Sequence, residues 1–398
     1  MKILSIGTDT SLLDKNSPTA KRIIEYGKLA DKYTIITLSG DNQIVDLAAG
    51  VRAYGVKANI KFLALLKIFI LAWKLIKEDN YDVITTQDPF ITALVGWLLA
   101  RKFKVGLNMQ IHGDFFSGDY WQKQGFSMKL RLILAKKLLP QADSIRVVSQ
   151  RIADSLSKFN INKEKIIKAP IYVDWQKLSQ TPISADLHKK YPGQFIPHHG
   201  RPRPLVKHQQ SGAGLASGAG FIILSAGRLV KAKNLSLLIN SFKKVNQQFS
   251  EIVLVIVGSG TEEEKLKALA NQLGLGGKVK FLGWQKDLSS YYKTADLFAV
   301  TSESEGYNRT VIEAMACGCP IIMTDVGLAG EIIKDGQNGL VVPVGNQEAL
   351  TAAIIKIIKD GRLRNNLSCR AQESLLTLPS KGETLALYKK SWEQAVQS

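Results

Sequence analysis

Residues 297–318 read LFAVTSESEGYNRTVIEAMACG, and this stretch decides the fold that we expect for the chain. Its apolar start, Leu297–Val300, predicts a buried strand, and the pattern over Thr310–Ala316 predicts a helix after a polar loop. Strand, loop and helix in this order are the repeating unit of a parallel sheet covered by helices. The loop is therefore expected at the carboxyl end of its strand, where such sheets bind ligands.

The same alternation of short apolar runs and amphipathic stretches recurs along the chain. It predicts an α/β protein with two Rossmann-like, doubly wound domains. The predicted strands are Lys2–Ile6, Tyr33–Leu38, Val83–Thr85, Val105–Ile111, Ser144–Val148, Phe221–Ala226, Ile252–Val257, Val279–Leu282, Leu297–Val300 and Pro320–Thr324. The predicted helices between them include Thr19–Ala30, Phe126–Leu139, Leu235–Gln247, Glu262–Leu273, Asp287–Thr294 and Thr310–Ala316.

These patterns divide the chain into four parts. We place an N-terminal Rossmann-like domain at 1–175, a linker with a flexible insertion at 176–220, a C-terminal Rossmann-like domain at 221–378, and a C-terminal helix at 379–398 that could pack back on the N-terminal domain. The insertion, 198–220, is rich in Gly, Pro, Ala and Ser, as flexible linkers are. Four of the five histidines lie between His188 and His208, so a metal site is an alternative, although no predicted helix holds them together.

Composition narrows the class of protein. A hydrophobic content of 45% predicts a folded core, and 398 residues suit two domains. The net charge is +19, and residues 1–196 carry 29 Lys and Arg against 17 Asp and Glu. Such an excess favours anionic partners: nucleic acid, a membrane surface or phosphorylated substrates. No nucleic-acid-binding motif accompanies the charge, which argues against nucleic acid.

The cysteines and the apolar runs indicate the cellular compartment of the protein. Cys317, Cys319 and Cys369 have neither disulfide nor zinc spacing, and reduced thiols favour the cytoplasm. The apolar N-terminus turns polar by Thr8, which predicts a first strand rather than a signal peptide. The sequence contains no uninterrupted run of 18 apolar residues, so it predicts no transmembrane span.

Two carboxylates frame the loop of the opening stretch. Glu305 lies in the loop and Glu313 about one turn into the helix, so both are able to face one pocket. Gly306 allows a ligand to approach the backbone, and the free N–H groups of the helix start suit a phosphate or a sugar hydroxyl. The alternative is a solvated loop acid and a first-turn Glu stabilised by the helix dipole.

A second strand–loop–helix unit is basic. In Ser225–Asn234, SAGRLVKAKN, Gly227 ends the strand and Arg228 and Lys233 follow around the turn. Both side chains are suited to neutralise a diphosphate, and Lys231 competes with Lys233 for that role. The alternative is an ordinary basic loop on a basic protein.

Two further motifs carry less weight alone. In the first half, Gln110–Asp114, QIHGD, places His112 directly after a predicted strand, where a sheet of this kind positions functional side chains. In the second half, Val257–Gly260, VGSG, fits almost any strand-to-helix turn.

Together these motifs resemble the retaining glycosyltransferases of the GT-B fold, of the family four type, glycosyl transferases group one. The resemblance is strongest over Phe221–Val344, and its most specific mark is Glu-x7-Glu followed by EAMACGCP, with GRLVKAKN at the proper distance before it. It implies a GT-B fold with a donor cleft between two domains, the first binding the acceptor and the second a UDP- or GDP-linked sugar.

The resemblance also implies roles for donor-binding residues. Gly227, Arg228 and Lys233 would hold the donor diphosphate, and Glu313 would accept hydrogen bonds from the ribose hydroxyls.

Catalytic roles follow from the same resemblance. Glu305 and the backbone N–H groups of Gly306, Tyr307 and Asn308 would contact the transferred sugar. His112 would lie over that sugar at the acceptor side, so His112 and Glu305 are the catalytic candidates. The chain departs from the family where Asn308 replaces a frequent glycine, and where TDTSLLDKNS replaces the Gly-Gly turn after the first strand.

The implied function is transfer of a hexose from a nucleoside-diphosphate sugar to a glycan or lipid-linked acceptor in bacterial cell-surface synthesis. The sequence has no Asp-x-Asp triplet, so we expect no essential metal, and no cofactor besides the nucleotide-sugar substrate. Two alternatives stay open: a sugar-nucleotide epimerase of the same fold, and a non-catalytic nucleotide-sugar-binding protein.

Residues 59–77, NIKFLALLKIFILAWKLIK, predict a helix that is apolar nearly all round. One face is expected to pack on the sheet and another to combine apolar side chains with lysines, which suits an anionic lipid surface. The alternative is a buried helix whose lysines extend to water. We therefore expect a cytoplasmic enzyme, with peripheral contact to the inner face of the membrane as an added hypothesis. The sheet-facing set is Phe62, Leu65, Phe69, Trp73 and Ile76, and the outer set is Leu63, Lys67, Ile70, Lys74 and Lys77.

Overall fold

The computed structural model describes residues 1–57, 61–192 and 220–397, so the predicted insertion lies almost entirely outside the described residues. The chain forms two compact units, Met1–Tyr172 with Pro379–Ser398, and Val173–Leu378. Both are α/β, and each is built on a largely parallel sheet.

The first unit follows the predicted alternation closely. Each strand predicted in it is present, with bounds that differ by a single residue at most. The sequence did not reveal the hairpin of two short strands after the second one, whose Gly50 turn has a φ of 72°. Its elements up to residue 168 are β1 (Lys2–Ile6), α1 (Pro18–Gly27), β2 (Lys32–Ser39), β3 (Gln43–Ala48), β4 (Val51–Lys57), α2 (Lys61–Glu78), β5 (Val83–Thr86), α3 (Ile91–Phe103), β6 (Gly106–Ile111), α4 (Phe126–Leu138), β7 (Ser144–Val147), α5 (Gln150–Ser155) and β8 (Ile166–Lys168).

The second unit has the same build. Its strands carry almost uninterrupted Val, Ile, Leu and Phe because both faces of a parallel sheet are covered by helices. Its elements are α6 (Trp175–Gln180), α7 (Leu187–Lys190), β9 (Phe221–Ala226), α8 (Leu235–Asn246), β10 (Ile252–Val257), α9 (Glu263–Gln272), β11 (Val279–Phe281), α10 (Ser289–Thr294), β12 (Leu297–Val300), α11 (Arg309–Ala316), β13 (Ile321–Thr324), β14 (Leu340–Val342), α12 (Gln347–Lys359) and α13 (Gly361–Ser374).

Strand order fixes where each sheet binds ligands. Among the described residues, eight strands of the first unit run β3-β4-β2-β1-β5-β6-β7-β8, and only β3 is antiparallel to its neighbour. Six strands of the second unit run β11-β10-β9-β12-β13-β14, all parallel. In each sheet the first strand of the unit lies centrally and the chain winds outward on both sides. Ligands are expected beyond the carboxyl ends at this reversal of strand order.

The C-terminal helix, α14 (Lys381–Gln397), belongs to the first unit. Its Trp392 is fully buried and packs 5.5 Å from the ring of Tyr33 on β2. The helix lies so close to β6 that a Cβ at Gly106 would come within 2.1 Å of the carbonyl oxygen of Ala395. Gly106 therefore allows the helix to rest directly on the sheet.

The predicted start of the linker at residue 176 differs from the structure. Residues 176–192 belong to the second unit, because α6 packs against α11 and Lys293 donates a 2.8 Å hydrogen bond to the carbonyl oxygen of Ser179. Leu187 on α7 is also buried there. The sequence did not indicate this packing, since both helices are short.

The sheet-facing side of α2 also differs from the expectation. Its buried residues are Ala64, Ile68, Ala72, Leu75 and Ile76, whereas Leu65, Phe69 and Trp73 are only half-buried, and the side chain of Phe62 lies outside the described part of the structure. The helix contacts β2 and β4, and Trp73 packs against Phe103 of α3, at 4.8 Å between ring centroids. No helix of the described residues is long and apolar enough to cross a membrane.

Candidate functional site

Two glycines shape the loop that follows β9. Gly227 has a φ of 152° and Gly258, after β10, has a φ of 136°, both in the region that favours glycine. A Cβ at Gly258 would lie 1.8 Å from the carbonyl oxygen of Gly227, so a side chain there would push the two loops apart. The VGSG motif has little predictive value in the sequence alone, but its first glycine allows the basic loop to pack against the carboxyl edge of the sheet.

These loops border a small cleft at the carboxyl ends of β9, β10 and β12. The enclosed space is only about 10 Å³, so a ligand of nucleotide size would extend along the open mouth of the cleft. Four of the predicted donor-binding residues line it: Gly227, Arg228, Lys233 and Asn308. The structure therefore brings together the two motifs that lie about seventy residues apart in sequence.

Arg228 is the available cation of this cleft. Its side chain is exposed, and within the described parts of the chain its guanidinium makes neither a hydrogen bond nor an ion pair. Lys231, the competitor of Lys233, is exposed and does not line the cleft. The geometry therefore favours Arg228 and Lys233 as the pair that faces a ligand.

Lys233 and Glu305 form an ion pair across the cleft wall. The lysine Nζ contacts Glu305 Oε1, and the side chains are 22% and 11% exposed. Ser302 Oγ donates to the same carboxylate oxygen at 2.6 Å, and Asn308 Nδ2 donates at 3.3 Å. Glu305 is thus held in one position by three donors, which preorganises the loop before any ligand binds.

Asn308 occupies a backbone position that explains its identity. Its φ is 62°, in the left-handed region, where asparagine is among the best tolerated residues after glycine. It immediately precedes α11, and its Oδ1 accepts a 2.5 Å hydrogen bond from Thr310 Oγ1. The departure from the family's glycine therefore preserves the turn.

The side chain of Tyr307 is buried, with 5% exposure, and burial raises its pKa well above the usual value. Its hydroxyl is therefore not expected to contact a ligand, and the contact through N–H groups of Gly306 to Asn308 at the start of α11 stays a prediction.

Glu313 lies on the inner side of α11. Tyr292 donates a hydrogen bond from its hydroxyl to Glu313 Oε2 at 3.2 Å, and Arg309 approaches Oε1 at 3.5 Å. Burial raises the pKa of this carboxyl, and the charge of Arg309 opposes the rise. Among the described residues each carboxylate oxygen thus has one hydrogen-bond partner, and further lone pairs remain for a polyol.

The first unit contains its own cavity, of about 280 Å³, at the carboxyl ends of β1, β5 and β6; we call it the N-terminal cavity. His112 lines it, and its Nε2 lies 3.3 Å from Gln87 Oε1. Burial, with the positive charges of Arg146 and Arg22, lowers the pKa of His112 to about 3. The imidazole is therefore neutral at physiological pH, so one ring nitrogen donates a hydrogen bond and the other accepts one.

The predicted site residues thus fall into two groups. Glu305 and all the donor-binding candidates lie in the second unit, and His112 lies in the first. Sequence reasoning missed Ser302, Tyr292 and Gln87. Gln87 follows β5 directly, and this position at the carboxyl end of a strand could have identified it as a site residue. Nothing in the sequence around Tyr292 indicated its contact with Glu313.

The histidine-rich stretch gives no metal site within the described residues. His188 pairs with Asp296, at 3.2 Å between Nε2 and Oδ2, and both side chains are buried. His198, His199 and His208 lie outside the described residues. In the ranges that the structure describes, no group of three or more His, Cys, Asp or Glu side chains is placed to hold a metal ion.

Two family profiles match the chain. The profile of glycosyl transferases group 1 matches residues 207–374, and that of glycosyltransferase family 4 matches residues 26–175. The first match contains every donor-binding candidate, and the second contains His112.

Curated relatives agree with these matches. The chain is 34% identical to the N-acetylgalactosaminyltransferase of Campylobacter jejuni that acts on N-acetylgalactosamine-N,N'-diacetylbacillosaminyl-diphospho-undecaprenol, over 79% of this chain and 77% of that protein. It is 26% identical to an Escherichia coli galactosyltransferase for GlcNAc-diphosphoundecaprenol, over 78% and 76%. A lipopolysaccharide core glycosyltransferase of Rhizobium meliloti is 32% identical, but the match covers only 39% of this chain and 44% of that enzyme.

Solved structures are similar over the whole chain. Anabaena HepE in complex with UDP superposes with a TM-score of 0.69 at 19% identity and full coverage of both chains. Sucrose-phosphate synthase of Thermosynechococcus elongatus gives a TM-score of 0.77 at 20% identity, with 99% coverage of each. At these identities the likeness establishes the fold, which is GT-B with two Rossmann-like domains.

Proposed function

Since this chain belongs to the glycosyl transferases group 1 family and has the GT-B fold, we propose that it transfers a hexose from a UDP- or GDP-linked sugar with retention of the anomeric configuration. It is a glycosyltransferase of the type that builds bacterial glycans and glycolipids. The finer assignment is supported above all by one observation: unpaired Arg228 lies on the same cleft as the Lys233–Glu305 pair and the start of α11.

The charges of this cleft suit departure of a nucleoside diphosphate. Cleavage of the sugar–phosphate bond builds negative charge on the diphosphate, which Arg228, Lys233 and the N–H groups before α11 are positioned to stabilise. Arg228 offers a planar fork to two phosphate oxygens, and Lys233 offers a point charge. Since the cleft supplies its own cations, we propose that transfer requires no metal ion.

We assign the two carboxylates different roles. Glu313 has free acceptor capacity for the ribose hydroxyls of the donor. Glu305, fixed by Lys233, Ser302 and Asn308, is proposed to contact the transferred sugar rather than to form a covalent bond with it. In this proposal the leaving phosphate assists removal of the acceptor proton on the same face of the sugar, and His112 acts on the acceptor side.

A thermal-shift screen tests the proposed donor. We expect one class of nucleotide-sugar, UDP- or GDP-linked, to raise the melting temperature in the presence of EDTA, because a ligand that binds only the native state stabilises it by mass action. The free nucleoside diphosphate of the same base should also stabilise, and the nucleoside alone should not. Stabilisation that disappears with EDTA and returns with a divalent cation would refute metal-independent donor binding.

A lipid-linked acceptor is the second part of the proposal. Two relatives act, by name, on diphospho-undecaprenol-linked sugars. In this chain, Leu63, Leu66 and Ile70 on α2 are 47%, 51% and 57% exposed, beside the exposed Lys67 and Lys74. An apolar surface interleaved with lysines is suited to the headgroup region of an anionic membrane.

Vesicle sedimentation tests this membrane contact. We expect binding to anionic but not to neutral vesicles, and a loss of at least about tenfold in Lys67→Glu/Lys74→Glu, because each lysine near an anionic surface contributes roughly 1 kcal/mol. Lys356→Glu/Lys359→Glu on α12 reverses the same number of exposed charges in the other unit and should bind normally. Equal binding to both vesicle types would remove the membrane from the proposal.

A further inference from the structure

Arg22 is an unpaired cation in the N-terminal cavity. It lies on α1, its side chain is half-buried, and it lines the cavity together with Gln87 and His112. In the described parts of the chain, its guanidinium makes no hydrogen bond and no ion pair, although its charge acts on His112. A guanidinium that is partly dehydrated without a partner is poised to bind an anion.

A second guanidinium lies close to the cavity. Arg146 on β7 is fully buried, and among the described residues its guanidinium donates hydrogen bonds to neutral oxygens, Gln110 Oε1 at 3.0 Å and the carbonyl of Ala169 at 2.8 Å. Its Nε has no hydrogen-bond partner among the described residues. The guanidinium lies 3.7 Å from the ring centroid of Tyr388, which itself lines the cavity.

Negative charge in the cavity does not offset these two cations. Asp9 is the one acidic side chain among the described residues that line it. Its Oδ1 accepts hydrogen bonds from the backbone N–H of Ser11 at 3.0 Å and from the Ser11 hydroxyl at 2.7 Å, while Thr19 approaches Oδ2 at 3.4 Å. Asp9 therefore caps its own loop, and the cavity keeps a net positive character.

We propose that the N-terminal cavity binds a phosphate group of the acceptor, with Arg22 as its direct contact and the buried Arg146 as a fixed source of positive potential. The proposal rests on the proposed function and narrows the acceptor to a phosphate or diphosphate ester. The forked guanidinium of Arg22 matches two phosphate oxygens, and the amide of Gln87, which donates one N–H to Ser5 Oγ, has a second N–H for a further hydrogen bond from the same wall.

Calorimetric titration with inorganic pyrophosphate tests the site. The full chain carrying Arg228→Ala serves as background, so that the donor cleft contributes little, and the salt concentration is kept physiological to suppress diffuse binding. We expect binding near one equivalent, weakened about tenfold or more by Arg22→Gln, because charge-assisted contacts to phosphate are strong. Lys21→Gln removes an equal charge from the neighbouring exposed position and should leave the affinity unchanged.

Two further arms make the result decisive. Arg22→Lys should keep part of the affinity, and UDP binding in an otherwise unaltered chain should not change with Arg22→Gln. Equal pyrophosphate affinity in the Arg22→Gln and Lys21→Gln variants, or no binding in the background, would overturn the proposal. Failure of both UDP and GDP to bind the unaltered chain would instead count against the proposed function, and the pyrophosphate result could still be interpreted.

Discussion

Replacing Arg228 by alanine is expected to abolish sugar transfer and to weaken UDP or GDP binding about 10- to 150-fold, since hydrogen bonds to charged groups contribute roughly 1.5–3 kcal/mol. The effect is expected to be large because Arg228 is the one cleft cation without a protein partner in the described part of the chain. Lys233 remains, but Glu305 already neutralises much of its charge. Titration calorimetry and a transfer assay measure the two effects.

Lys231→Ala is the matched control for Arg228→Ala. Lys231 is exposed in the same loop but does not line the cleft, so its removal should change affinity less than about threefold, as is usual for surface charges. Wild-type affinity in Arg228→Ala would exclude this arginine from the site. Equal losses in both variants would mean that only the general charge of the loop matters.

Replacing Glu313 by alanine is also expected to abolish transfer, but with a different effect on binding. We expect UDP or GDP affinity to fall about 10- to 100-fold, because two hydrogen bonds from ribose hydroxyls to a carboxylate are lost. Affinity for inorganic pyrophosphate, which lacks ribose, should change by less than about threefold, since Glu313 is not assigned a phosphate contact. Parallel titrations with both ligands measure the difference, in an Arg22→Gln background so that pyrophosphate reports on the cleft and not on the N-terminal cavity.

The control for Glu313→Ala is Glu264→Ala on α9, where the carboxylate pairs only with Lys267 at the surface. That variant should bind both ligands normally. If Glu313→Ala weakened pyrophosphate and the nucleotide equally, Glu313 would act on the loop as a whole and not on the ribose.

Strand positions were predictable because buried parallel strands are nearly continuous apolar runs. Each predicted strand is present within one residue of its bounds. The face of α2 was not predictable in the same way. Helical periodicity groups Phe69 and Trp73 with the core, but tertiary packing buries Ala64 and Ala72 instead and places Trp73 against Phe103 of α3. Periodicity predicts that an apolar face exists, and tertiary packing decides which of its side chains are buried.

The donor site was predictable as a set of residues but not as a geometry. Spacing alone did not distinguish Lys231 from Lys233, whereas the left-handed turn at Asn234, with a φ of 43°, follows directly on the lysine that faces the cleft. The reason for asparagine at 308 likewise depends on a backbone angle. His112 was identified from its place after a strand, but Arg146, which with Arg22 lowers its pKa, lies on another strand and carried no motif.

We propose that this chain moves a sugar from a nucleotide to an acceptor through the cleft around Arg228. The most direct measurement incubates the protein with labelled UDP- and GDP-sugars, a bacterial lipid extract and EDTA, and follows nucleoside diphosphate and labelled lipid together. We expect one donor to yield both products in equal amounts, and neither product with Arg228→Ala. Donor conversion to an isomeric nucleotide-sugar, or products unchanged by Arg228→Ala, would contradict the account.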